Sequence, residues 1–100
     1  MSNLDELTSK LQAIADPARR RILEALKERG GCSIGKKTDT GLCATDIERR
    51  LNLSQPTISH HMAILKNAGL VQAQKVGLWI WYRRDETAIR EVLATLRKNL

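Results

Sequence analysis

Between Ser54 and Val71 the chain reads SQPTISHHMAILKNAGLV, and the side chains there that could do chemistry are Ser54, Gln55, Thr57, Ser59, His60 and Lys66. Amide, hydroxyl, imidazole and ammonium groups in a stretch without a carboxylate can meet base edges and phosphates free of like-charge repulsion, the chemistry a DNA major groove asks for. Gln55 is the leading candidate for a base contact through its amide, followed by Thr57, Ser59 and His60. The blander reading of the same face is a solvated helix surface. A second chemistry belongs to the two cysteines, Cys32 and Cys43. Lys36 and Lys37 would favour a thiolate at Cys32.

These side chains need a scaffold, and the sequence supplies one. Ile58, Met62 and Leu65 form a buried stripe at i, i+4, i+7, while Ser54 as cap and Pro56 in the first turn start a helix near Gln55. The helix is expected to run to Asn67, with Gly69 as its left-handed stop. Just before it, Asp46–Leu53 is short and amphipathic, with Ile47 and Leu51 four apart and a turn at Asn52–Leu53. Two short helices about a tight turn make a helix-turn-helix whose second helix reads the groove.

Toward the N-terminus, Leu4, Leu7, Leu11 and Ile14 mark a first helix that ends at Asp16–Pro17. Asp16 and Pro17 start a second, Ala18–Arg29, with Ile22, Leu23 and Leu26 inward and Arg19, Arg20 and Arg21 over several faces. One of these arginines could reach a phosphate, but a solvated face is the simpler role for each. Gly30–Gly41 breaks every periodicity and reads as a long loop. After the groove-reading helix, Leu70–Gln74 and Trp79–Arg84 read as strands around Lys75–Val76–Gly77–Leu78. The two tryptophans share one strand face, with Ile80 and Tyr82 on the other, and anchoring to the helices is favoured over base stacking. Lys75, Arg83 and Arg84 are the candidate phosphate contacts of this hairpin. A last helix, Glu86–Leu100, carries Ile89, Leu93, Leu96 and Leu100 as its stripe. The fold class expected is mainly α with a small β-hairpin, in one domain over residues 1–100.

The composition agrees with a small single core: one hundred residues, 42% hydrophobic. Seventeen Lys and Arg against eleven Asp and Glu give a net charge of +6, which favours a polyanionic partner without identifying one. No apolar run reaches membrane-spanning length and MSNLDELTSK lacks the pattern of a signal peptide, so the chain is expected in the cytoplasm, with its cysteines as thiols.

The run from Cys43 to Tyr82 resembles the winged-helix repressors of the ArsR/SmtB family, through SQPTISHHMAILKNAGLV above all, and the likeness extends back through DPARRRILEALK and on through the hairpin. The resemblance implies a homodimer, paired through its first and last helices, that binds double-stranded operator DNA with the hairpin as wing. It also implies release by a metal or another signal. The family's thiol site is a Cys-x-Cys in a run like ELCVCDL; here GLCATDI keeps Cys43 and has Thr45 at the second position. Arsenite or antimonite favours three thiolates, which leaves Cys32 as the one available replacement ligand. The family's other site takes Asp and His from the last helix; this chain has Asp85, Glu86 and Glu91 there and no histidine, so that zinc site is rejected. The loop 30–41 also exceeds the family's usual turn.

Three roles for Cys32 and Cys43 stay open: binding a thiophilic metal or metalloid, a reversible disulfide or persulfide, or no sensing role. Two other classes compete with a DNA-binding repressor. One is a winged helix that binds a partner protein. The other is a thiol enzyme, disfavoured because the chain's two histidines, His60 and His61, both lie in the groove-reading helix and no Gly-rich phosphate motif follows a strand.

Overall fold

Two prolines start helices in this chain, and two left-handed residues end them. The computed structural model describes residues 3–27 and 42–100. Helices α1 (Asn3–Ala15) and α2 (Pro17–Lys27) are followed by strand β1 (Leu42–Cys43), helices α3 (Ala44–Leu51) and α4 (Gln55–Asn67), strands β2 (Val71–Val76) and β3 (Trp79–Arg84), and helix α5 (Glu86–Asn99). Asp16 caps α2 by accepting the Ala18 amide on Oδ1 at 2.8 Å, with Pro17 first in the helix. Asn52, at φ +55°, ends α3 and donates its N–H to the Glu48 carbonyl at 2.8 Å.

Helix α4 falls where the sequence places it. Ser54 caps α4 by accepting the Thr57 amide at 3.4 Å, and Pro56 sits in the first turn. At the other end Gly69 adopts φ +79°, its N–H donating to the Lys66 carbonyl at 2.9 Å while the Leu70 N–H donates to the Leu65 carbonyl at 3.0 Å. That pair of bonds satisfies two carbonyls the helix would otherwise leave open. A Cβ at Gly69 would meet only the Lys10 ammonium at 3.9 Å, an ordinary contact, so the cost of a side chain is all backbone. Gly69→Ala is therefore expected to lower stability by about 1–2 kcal/mol, read from a urea unfolding curve.

One core joins the layers. Ala13, Ile22, Ala25, Leu26, Ile47, Leu51, Ile58, Met62, Leu65, Leu70, Val71 and Val92 are buried together. The inward stripe of α4 lies where α1, α2, α3 and β2 all pack.

The structure departs from the sequence reading in three places. First, the expected hairpin gains a short third strand, in the order β1-β3-β2, because Leu42 and Cys43 pair antiparallel with Tyr82 and Trp81. Second, β2 runs on through Lys75 and Val76, and Val76 pairs with Trp79. Only Gly77 and Leu78 make the turn, with Gly77 at φ +62°, the arrangement of a type II′ hairpin. Third, the stripe of α5 is rotated. Val92 is buried, with Ile89 and Leu96 packed beside it, whereas Leu93 is 61% exposed and Leu100, past the helix end, is 98% exposed. Val92 and Leu93 point about 100° apart, so only one of them can face the core.

Candidate nucleic-acid interface

The outward surface of α4 is the complement of its buried stripe. With Ile58, Met62 and Leu65 locked into the core, Gln55, Ser59, His60, Ala63 and Lys66 are exposed and Thr57 is half-buried. No acidic residue lies between Ser54 and Asn67. Ser54 and Thr57 pair their hydroxyls at 2.8 Å, so the helix start presents two oxygens already fixed in place beside the Gln55 amide. α3 holds this helix from behind, through Ile47 and Leu51. Arg49 and Arg50 on α3 are exposed.

The arginine triplet of α2 has a role that the sequence did not disclose. Arg19 donates Nε–H to the Ala13 carbonyl at 2.6 Å and Nη2–H to the Gln12 carbonyl at 3.2 Å. Arg20 donates from Nη1 to the carbonyls of Ile14 and Ala15, at 2.8 and 2.9 Å. Arg21 reaches the Leu51 carbonyl of α3 at 3.4 Å. All three guanidinium groups thus place positive charge and donors on helix C-termini, where carbonyls lack intrahelical partners. α1, which has no basic residue in its own last turn, is capped from the next helix. Arg19 Nη1 also lies 3.3 Å from His61 Nδ1, bringing α2 against α4. Partial desolvation works to raise the Asp16 carboxyl, but the Arg19 and Ala18 amides and the charges of Arg19 and His61 hold it below the ordinary carboxylate range.

The hairpin divides into an anchored root and a free end. Trp81 is buried with Cys43, its register partner on β1, and Tyr82 packs against the main core. These aromatics anchor the hairpin. Near the root, Arg83 donates Nε–H to Gln72 Oε1 at 2.9 Å, and Gln72 donates in turn to Asp85 Oδ2 at 3.3 Å, which leaves Arg83 exposed but oriented. Arg84 is placed differently. Its guanidinium, on a side chain only 14% exposed, pairs with Glu86 at 2.7 Å and donates to the Leu23 carbonyl at 3.3 Å. It joins β3 to α2 and to the start of α5. Lys75, on β2, is exposed.

Cys43 is 1% exposed. Its thiol donates to Asp46 Oδ2 at 3.5 Å, and Asp46 is itself buried. Cys32 lies outside the described residues, as does the loop 30–41. Among the described residues no group of three His, Cys, Asp or Glu side chains could hold a metal ion. Asp85, first of the three carboxylates near the last helix, caps α5 by accepting the Ala88 amide at 3.0 Å. Among the described residues no helix is long and apolar enough to cross a membrane.

Comparison with known proteins bears on this surface. A family model described as a helix-turn-helix domain matches residues 14–72. The chain is similar to the transcriptional repressor SdpR of Bacillus subtilis (strain 168), with 35% identity over 85 residues, covering 85% of this chain and 82% of that protein. It is similar also to the arsenical resistance operon repressor of Staphylococcus xylosus, 39% identical over 95 residues, covering 95% of this chain and 77% of that protein. Among solved structures, the homodimeric winged helix-turn-helix DNA-binding domain Mb0332 of Mycobacterium bovis, described as a possible ArsR-family regulator, superposes with a TM-score of 0.72. That alignment has 22% identity and covers 96% of this chain and 84% of the other, a likeness of fold.

Proposed function

Because the chain belongs to the ArsR family of helix-turn-helix transcriptional regulators and is a DNA-binding repressor, we propose that it grips double-stranded operator DNA as a homodimer with α4 in the major groove. The observation that carries this placement is the acid-free, exposed face of α4 held rigid by a fully buried stripe. Gln55 reads a base edge through its amide, and Thr57, Ser59 and His60 lie along the same face. Ser54 and Lys66 meet phosphates at its two ends. The wing lies alongside, on the backbone or in the minor groove, with Lys75 and Arg83 as its phosphate contacts; Arg84 is spent inside the fold. The operator and its regulator meet in the cytoplasm, and no catalytic role belongs to this reading.

The dimer is proposed through α1 and α5. These helices pack together within one chain and leave Leu11 and Leu93 exposed. Between them lies an open groove of about 680 Å³ lined by Leu7, Lys10, Glu91, Val92 and Lys98 among others. Pairing two copies there would cover apolar surface that a domain this small leaves over.

Cys43 favours the reading without a sensing role at that position. A thiol sealed behind Trp81 and bonded to a buried carboxylate is not exposed to a thiophilic ligand. Arsenite and antimonite are therefore not assigned as effectors through Cys43.

The decisive test is the sequence preference of Gln55→Ala. Losing a base contact is expected to shrink the ratio of operator to non-operator affinity by about tenfold or more, measured by titrating labelled duplexes. An equal fall for every duplex would make Gln55 a backbone contact.

A further inference from the structure

The outer end of the hairpin is more apolar than a phosphate-binding loop needs to be. Leu78, in the turn, is 94% exposed, and Val76, Trp79 and Ile80 around it are each about half exposed. Val76 and Trp79 pair across one face; Ile80 pairs with Lys75 on the other. The root of the same hairpin is fixed by buried Trp81 and Val71. A rigid two-stranded ribbon therefore presents a leucine at its apex, backed by three more apolar side chains.

Charge decides what can cover this end. The hairpin from Val71 to Arg84 holds Lys75, Arg83 and Arg84 and no acidic residue. A second copy of the same hairpin would set like charge against like, whereas a nucleic acid complements it. The hairpin is also continuous with the groove-reading helix, since only Ala68–Leu70 separates α4 from β2. Six residues of strand reach about 20 Å, enough to pass from a major groove to the adjoining minor groove, roughly 17 Å or half a helical turn away.

We propose that Leu78 enters the minor groove as an apolar wedge, partly unstacking a base step and bending the operator. This rests on the placement of α4 described above and adds a specificity element to it. Leucine has no donor or acceptor with which to read a base. What it selects is a step that opens easily, so the operator is expected to carry a flexible pyrimidine–purine step, TA or CA, beneath each wing. Preference would then appear at a position that no side chain reads by hydrogen bonding.

The test uses the full chain and a duplex that the wild-type protein selects from a random-sequence pool. End-to-end fluorescence transfer measures bending, and 2-aminopurine placed step by step under the wing reports unstacking. Leu78→Ser should abolish the bend and the 2-aminopurine signal and weaken binding by roughly a hundredfold, the scale of burying two leucines, one from each protomer. Leu78→Met should retain all three. Because the side chain is exposed, unchanged circular dichroism is expected for both variants. Equal bending by wild type and Leu78→Ser overturns the wedge while leaving α4 in place. A loss of affinity with bend and fluorescence unaltered also overturns it, since the tip would then only rest on the groove. Selection of no duplex by the wild-type protein overturns the placement of α4, and the wedge with it. Capture of the hairpin by an acidic protein, with no change in DNA on Leu78→Ser, overturns it in favour of a protein partner.

Discussion

Leu65→Ala is expected to lower the unfolding free energy by about 3–5 kcal/mol, a large share of the ~5–15 kcal/mol that a domain of this size holds. Leu65 is wholly buried, at the end of the stripe that begins with Ile58 and Met62. Its backbone carbonyl accepts the Leu70 amide, so the residue also anchors the chain reversal from α4 into β2. Four elements converge on α4, and a cavity beneath it cannot close without moving one of them. A urea unfolding curve should show the midpoint falling with little change in slope, because the surface exposed on unfolding is nearly the same. DNA binding should survive at temperatures where the variant remains folded, since Leu65 faces away from the exposed surface of α4. A loss below about 1 kcal/mol would mean that the helix does not seat on this stripe.

The sequence makes α4 legible because every rule that defines it is short-range. Ser54 and Pro56 are within one turn of each other, Ile58, Met62 and Leu65 share one face, and Gly69 closes the end within three residues. Once the buried face is known, the exposed one follows by subtraction. Features that depend on distant partners were not legible. β1 is two residues long and exists only because Tyr82 and Trp81 offer an edge to pair with. Three consecutive arginines look solvated until the carbonyls of Gln12, Ala13, Ile14, Ala15 and Leu51 are brought beside them. Nothing near Arg84 in sequence foretells its bond to the Leu23 carbonyl. In α5, Val92 and Leu93 are adjacent and both apolar, and only the direction from which the core approaches decides between them.

Raising monovalent salt from 50 to 200 mM is expected to weaken operator binding by about a thousandfold. The three charged side chains proposed to meet phosphates in each protomer, Lys66, Lys75 and Arg83, make six in the proposed dimer, and neutralising about six phosphates gives a log–log slope of roughly −5. Over a fourfold change in salt, that slope amounts to about three decades. The prediction separates two kinds of arginine. Arg83→Gln, like Lys75→Gln, removes two phosphate contacts from the dimer and should make the slope shallower by about two, with equal effect on all sequences. Arg84→Gln should leave the slope unchanged, because its charge is already opposed by Glu86 and its donor by the Leu23 carbonyl. Its loss should appear instead as lower folding stability, from a carbonyl and a carboxylate deprived of a shared partner. A shallower slope for Arg84→Gln would return that residue to the DNA, and a flat salt response in the wild type would argue against a phosphate-bound α4 and wing altogether.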